Sequence, residues 1–161
     1  MKFRFPIVII DEDFRSENTS GLGIRALAQA IEVEGFEVVG VTSYGDMSQF
    51  AQQQSRASAF ILSIDDEEFS HGEDTDPVVL NLRSFIDEVR RKNSDVPIYI
   101  YGETKTSRHL PNDILRELHG FIHMFEDTPE FVARHIIREA KSYLEGVQPP
   151  FFKALLDYAE D

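Results

Sequence analysis

The sequence predicts an α/β fold: a five-stranded parallel sheet with helices on both faces. Three observations carry that expectation. Five short β-rich runs alternate with five stretches of helical periodicity, the pattern of repeated βα units. Most of the runs are continuously apolar, as strands covered on both sides are. Cap and stop residues fall at the junctions.

The elements follow in order. The first strand is Pro6–Ile10, closed by Asp11, Glu12 and Asp13. Ile24, Leu27, Ala28 and Ile31 then hold the i, i+3, i+4, i+7 spacing of an amphipathic helix, and Gly35 is a natural stop. Strand two is Glu37–Val41. Asp46 and Gln49 resemble a capping box before Met47, Phe50 and Ala51. Strand three is Ala59–Ile64. Val78, Leu82, Phe85, Ile86 and Val89 form one helical stripe. Strand four is Ile98–Tyr101. Asn112–Leu118 reads as a short helix with Ile114, Leu115 and Leu118 inward. Strand five is Phe121–Phe125. Thr128, Pro129 and Glu130 give the last helix an N-cap, a proline in the first turn and an acid at its positive end. That helix buries Val132, Ile136, Ala140 and Tyr143 and ends at Gly146. Right-handed crossovers then make the strand order 2-1-3-4-5, the flavodoxin-like arrangement.

A chain of 161 residues with 42% hydrophobic content fits one domain with a real core. Its net charge of −13 argues against nucleic acid and against anionic membrane surfaces as partners. With no cysteine it has no disulfide, thiolate metal site or cysteine nucleophile, which suits a cytoplasmic protein. The segment before Asp11 is too short in apolar residues for a signal peptide. No stretch is long enough to span a membrane.

Ligands of such sheets bind at the carboxyl ends of the strands. Asp11, Glu12 and Asp13 lie after strand one, Ser63 and Asp65 at the end of strand three, Gly102 and Glu103 after strand four, and Glu126 after strand five. The first cluster resembles the magnesium-binding acids of response-regulator receiver domains. The rest of that motif fails. Ser63 falls where a receiver carries its phosphorylated aspartate, and a serine cannot form the acyl phosphate. Gly102 falls at the hydroxyl residue, and Glu126 near the lysine, a charge reversal. Asp65 is the nearest substitute acceptor and lies two positions late. The pocket is therefore a degenerate receiver pocket.

Other motifs are weaker. Gly21-Leu22-Gly23 lies too far past strand one for a dinucleotide loop and reads as a helix entry. Ser16, Thr19 and Ser20 fit capping better than a flavin phosphate loop. His119 and His123 are separated by Gly120 and need not share a face, and His135 reads as a partly buried structural histidine. No metal site follows. Lys2, Lys92, Lys105, Lys141 and Lys153 include no candidate Schiff-base lysine. The segment Asp65–Asp76 holds seven acids and reads as a solvated loop. Its functional alternative is an interaction surface made by Asp66, Glu67, Glu68, Glu73, Asp74 and Asp76.

The sequence ends on Pro149-Pro150 followed by Phe151-Phe152-Lys153-Ala154-Leu155-Leu156-Asp157-Tyr158. Pro-Pro cannot continue a helix. The apolar stripe of Phe151, Phe152 and Leu155 either folds back on the core or opens a second domain, and the Pro-Pro step favours the latter. With the degenerate receiver pattern, this tail resembles the lead-in to the cofactor domain of bacterial ornithine/lysine/arginine decarboxylases. Val96-Pro97-Ile98-Tyr99-Ile100-Tyr101 and Asn112-Asp113-Ile114-Leu115 are similar to the fourth strand and following helix of that family's N-terminal wing.

The resemblance implies a receiver-like wing over residues 1–146 and a linker with a first helix over 147–161. It implies a parent enzyme that uses pyridoxal phosphate to decarboxylate a basic amino acid in acid resistance, with arginine slightly favoured. The catalytic and cofactor-binding residues would lie beyond Asp161, so this chain has no cofactor of its own. Partners would be other subunits of the same enzyme, in homodimers and possibly decamers. The acidic surface would repel at neutral pH and relax as carboxylates protonate. Some inducible lysine decarboxylases bind an alarmone nucleotide near the helix that carries Arg116. Glu103 stands where a neutral amide is expected there, which argues against that ligand. The competing reading is a free-standing pseudo-receiver that acts by protein contact.

Overall fold

The computed structural model describes residues 3–43, 57–64, 76–103, 106, 108–124 and 126–147. Five parallel strands pair in the order β2-β1-β3-β4-β5. They are β1 (Phe3–Ile10), β2 (Phe36–Val41), β3 (Ala59–Ser63), β4 (Ile98–Gly102) and β5 (Gly120–His123). The described helices are α1 (Thr19–Val33), α2 (Pro77–Lys92), the short α3 (Asn112–Leu115) and α4 (Pro129–Val147). The predicted α/β class and strand order are those observed.

Strand alternation divides the core into two layers. Ile7, Ile9, Ile61, Tyr99 and Tyr101 face α1 and α4, where they meet Ile24, Leu27, Ile31, Ile136 and Ala140. Val8, Ile10, Phe60, Leu62, Ile98 and Ile100 face α2 and α3, against Val79, Leu82, Phe85 and Ile86. Phe60 and Phe85 meet edge to face, with ring centroids 5.6 Å apart. Continuous apolar strands are thus required: every strand residue has a helix layer above or below it.

The ends are set by local chemistry. Asn18 caps α1, its Oδ1 accepting from Gly21 N at 2.8 Å. Gly35 closes it with φ of 99°, the left-handed turn that glycine adopts without a Cβ penalty. Asp76 caps α2 by accepting from Val78 N at 2.9 Å, ahead of Pro77. Arg90, Arg91 and Lys92 fill the last turn of α2, where the macrodipole favours cations. Arg90 also donates to Glu117 Oε2 at 2.7 Å and to Val96 O at 2.9 Å, tying α2 to the segments beside β4 and β5.

Several expectations are corrected. β1 begins at Phe3 rather than Pro6. Its pairing with β2 shifts register between Phe3 and Ile7, and a proline is tolerated in a strand at such an irregularity. The short helix stops at Leu115, which is 40% exposed instead of inward. His135 is exposed on α4, although its ring edge meets Tyr99 at 6.1 Å. Asp76 is 3% exposed, so as a buried cap it cannot belong to an acidic contact surface. The capping box at Asp46 and Gln49 lies outside the described residues, as do Asp65, Asp66, Glu67, Glu68, Glu73, Asp74, Phe151, Phe152 and Leu155.

Candidate functional site

The carboxyl ends of β1, β3 and β4 bring Asp11, Ser63 and Tyr101 together. Asp11 follows the last pair of β1, and its N–H reaches Val41 O of β2 at 2.9 Å. Ser63 closes β3 opposite Tyr101 of β4 in the parallel register. Asp11 is buried, and burial pushes its carboxyl above the usual aspartate range. Two hydrogen bonds oppose that push: Asp13 N donates to Asp11 Oδ1 at 2.8 Å, and the Ser63 hydroxyl bonds the same carboxyl group. Burial, with the Asp11 charge nearby, raises the Tyr101 hydroxyl to about 12. The cluster is therefore a closed set of polar groups on the sheet edge. It contains no activated nucleophile.

The other two acids after β1 do not join Asp11 around a common point. Asp13 turns its carboxylate into the loop, where Oδ1 accepts from Ser16 Oγ and from Asn18 Nδ2, both at 3.3 Å. Glu12 is exposed. Among the described residues no three histidine or acidic side chains are grouped so as to hold a metal ion.

The loop is built tightly enough to hold this arrangement. Arg25 Nη1 donates to Phe14 O and to Ser16 O, each at 2.7 Å. A Cβ on Gly21 would lie 2.1 Å from Ser16 O and 2.5 Å from Asp13 O, so only glycine lets the loop lie on the first turn of α1. The glycine pair read as a helix entry does shape one, but the cap is Asn18 rather than Ser16, Thr19 or Ser20.

Gly102 is buried at the end of β4, and its carbonyl accepts from Met124 N at 2.8 Å. It offers the pocket no hydroxyl. Glu126 is exposed beyond β5, and no cation takes its place beside Asp11. Tyr101 escaped the sequence reading. Its signal was the alternation Ile98-Tyr99-Ile100-Tyr101, which places two phenols on one face of the strand, the last at its carboxyl end.

A second concavity lies between α2 and α3, a groove of about 360 Å³ lined by Arg83, Asp87, Asp113, Ile114, Arg116 and Glu117 among others. Arg83 Nε donates to Asp113 Oδ2 at 2.7 Å, and this pairing lowers the Asp113 pKa. The groove thus sets three carboxylates against two guanidinium groups.

Comparison with known proteins decides between the two readings of the degenerate pocket. The family Orn/Lys/Arg decarboxylase, N-terminal domain, matches residues 19–143. The chain belongs to this family. It is 27% identical over 158 residues to lysine decarboxylase LdcA of Pseudomonas aeruginosa, covering 96% of this chain and 20% of that protein. It is 26% identical over 156 residues to the biodegradative arginine decarboxylase of Escherichia coli K12, again covering 96% of this chain and 20% of the relative. The solved structure of lysine decarboxylase A from P. aeruginosa superposes with a TM-score of 0.77 at 26% identity, over 98% of this chain and 21% of that one. An orphan response regulator of Helicobacter pylori, HP1043, superposes at 0.57 with 12% identity over 87% of this chain and 99% of its own, a likeness of fold alone. The chain spans about one fifth of the length of the decarboxylases it matches.

Proposed function

We propose that this chain is the non-catalytic N-terminal assembly domain of a basic amino-acid decarboxylase. In this reading residues 1–146 are the receiver-like wing and residues 147–161 lead toward a cofactor domain. The observation that carries it is the closed Asp11–Ser63 pair in a chain of this decarboxylase family. The receiver fold remains, while the group that would accept a phosphoryl is a hydroxyl already bonded to Asp11.

The parent enzyme would use pyridoxal phosphate, which supplies an electron sink for loss of the carboxyl group. The residues described do not fit that cofactor. Lys92 lies on the surface of α2, 3.7 Å from Glu88. Lys141 lies in the C-terminal half of α4, which runs back toward the opposite edge of the sheet. The chemistry therefore belongs to other parts of the parent protein. The relatives at 27% and 26% identity weigh lysine and arginine alike, so the substrate class is a basic amino acid.

The role left for this domain is subunit association in the cytoplasm. A net charge of −13 opposes association at neutral pH, and protonation of carboxylates lowers that barrier as the medium acidifies. Alarmone binding is not part of the proposal, since the α2–α3 groove presents an excess of carboxylates to a polyanion. The test is deletion of residues 1–146 from the protein made by its native gene. Assembly should fall to a smaller oligomer while the Schiff-base absorption persists. An unchanged number of subunits would overturn the assembly role.

A further inference from the structure

The outward face of α1 is built to pair with a second copy of itself. Its exposed residues include Thr19, Leu22, Ala26, Gln29 and Val33, spaced 3-4-3-4 like the seam of a coiled coil. Leu22 is 56% exposed and Val33 79%. Only Arg25 and Glu32 are charged within the helix, in a chain that is 28% charged overall. Arg25 is turned to the Phe14 and Ser16 carbonyls. The opposite face of α1, with Ile24, Leu27, Ala28 and Ile31, is already buried against the sheet and α4.

Charge selects the orientation. α1 has no acid in its first turn and no base in its last turn. Instead Glu32 and Glu34 stand at its C-terminal end, where the macrodipole is negative and acids are disfavoured. An antiparallel mate would bring those acids beside the positive first turn of the neighbouring helix. A two-fold axis between Ala26 and Gln29 sets Leu22 over Val33 of the mate, and Ala26 over Gln29 of the mate. Each contact occurs twice, as an isologous interface requires. The small Ala26 near the axis allows the helices to approach to about 8 Å.

We infer that α1 forms an antiparallel helix pair, through Leu22, Ala26, Gln29 and Val33, with α1 of a second copy of this chain. The inference rests on the reading of the chain as an assembly domain and names the surface that performs it.

The test is sedimentation velocity of the full 161-residue chain in about 0.15 M salt, which limits surface repulsion to about 8 Å. The wild-type chain should sediment as a dimer. Ala26→Arg should sediment as a monomer with an unchanged circular dichroism spectrum. Ser142→Arg, at an exposed position of α4, should remain dimeric. Because the chain has no cysteine, disulfide trapping reads the register. The double variant Leu22→Cys/Val33→Cys should form a covalent dimer on oxidation, and Leu22→Cys alone should not. A dimer that survives Ala26→Arg would overturn the α1 pairing and leave the assembly role standing. A wild-type monomer at every concentration would overturn both.

Discussion

Ser63→Asp restores the residue type that a phosphorylated receiver carries at the end of its third strand, and the structure gives the cost. The Ser63 hydroxyl bonds the buried Asp11 carboxyl, whose pKa burial already raises. The substitution removes a hydrogen bond to an ionisable group, worth about 1.5–3 kcal/mol. It also sets two carboxylates about 4 Å apart, a repulsion of about 4 kcal/mol at an effective dielectric constant of 20. Proton sharing between the two caps the total, so the expected loss at neutral pH is about 4 kcal/mol. With a urea m value of about 2 kcal/mol/M, the unfolding midpoint should fall by about 2 M. The sign with pH follows from linkage. The folded variant holds a shared proton more tightly than the unfolded chain, so its stability rises as pH falls from neutral toward the ordinary carboxylate range. Magnesium should not rescue it, because Asp13 is held by Ser16 and Asn18. Equal midpoints for variant and wild type at neutral pH would refute the reasoning. So would a midpoint restored by magnesium, since the acids would then converge on a cation.

Three further outcomes follow from other parts of the molecule. Gly21→Ala gains about 1 kcal/mol of helix propensity but drives a Cβ to 2.1 Å from Ser16 O. A net loss of about 2 kcal/mol is expected, or about 4–8 °C in Tm, whereas Gly146→Ala, with nothing within 4 Å, should not lower Tm. Asp11→Asn isolates the buried carboxyl: burial raises the folded pKa, so wild-type stability declines as pH rises from the ordinary aspartate value through the folded one. Urea titrations across that window should show the decline in the wild type and a flatter curve in the variant, and parallel curves would contradict the assignment. Tyr99→Phe removes a buried hydroxyl with no hydrogen-bond partner, so calorimetry should find stability unchanged or raised by up to about 1 kcal/mol; a clear loss would mean that the hydroxyl is bonded.

Much of the fold was legible because it depends on continuous apolar runs. Ala59–Ser63 and Ile98–Gly102 are buried on both faces, and few arrangements other than a covered parallel strand accept such a run. The misreadings arose where tertiary pairing overrides local periodicity. Leu115 and Leu118 continue a helical pattern, but His119 N is claimed by Ile98 O at 2.7 Å, which starts the β4–β5 ladder and ends the helix. The site was legible in part. The sequence placed Asp11 and Ser63 at strand ends, but the diversion of Asp13 depends on a loop fold that spacing does not encode. Asp76 was read with the acids around it, although Pro77 beside it is the signature of a helix start.

The most direct test of the account is the intact mass and visible spectrum of the protein purified from its native gene. The account predicts a chain about five times as long as this one, as in the relatives of which it spans 20%, with a Schiff-base absorption band. A colourless chain of 161 residues would contradict it and leave a pseudo-receiver that acts through protein contact alone.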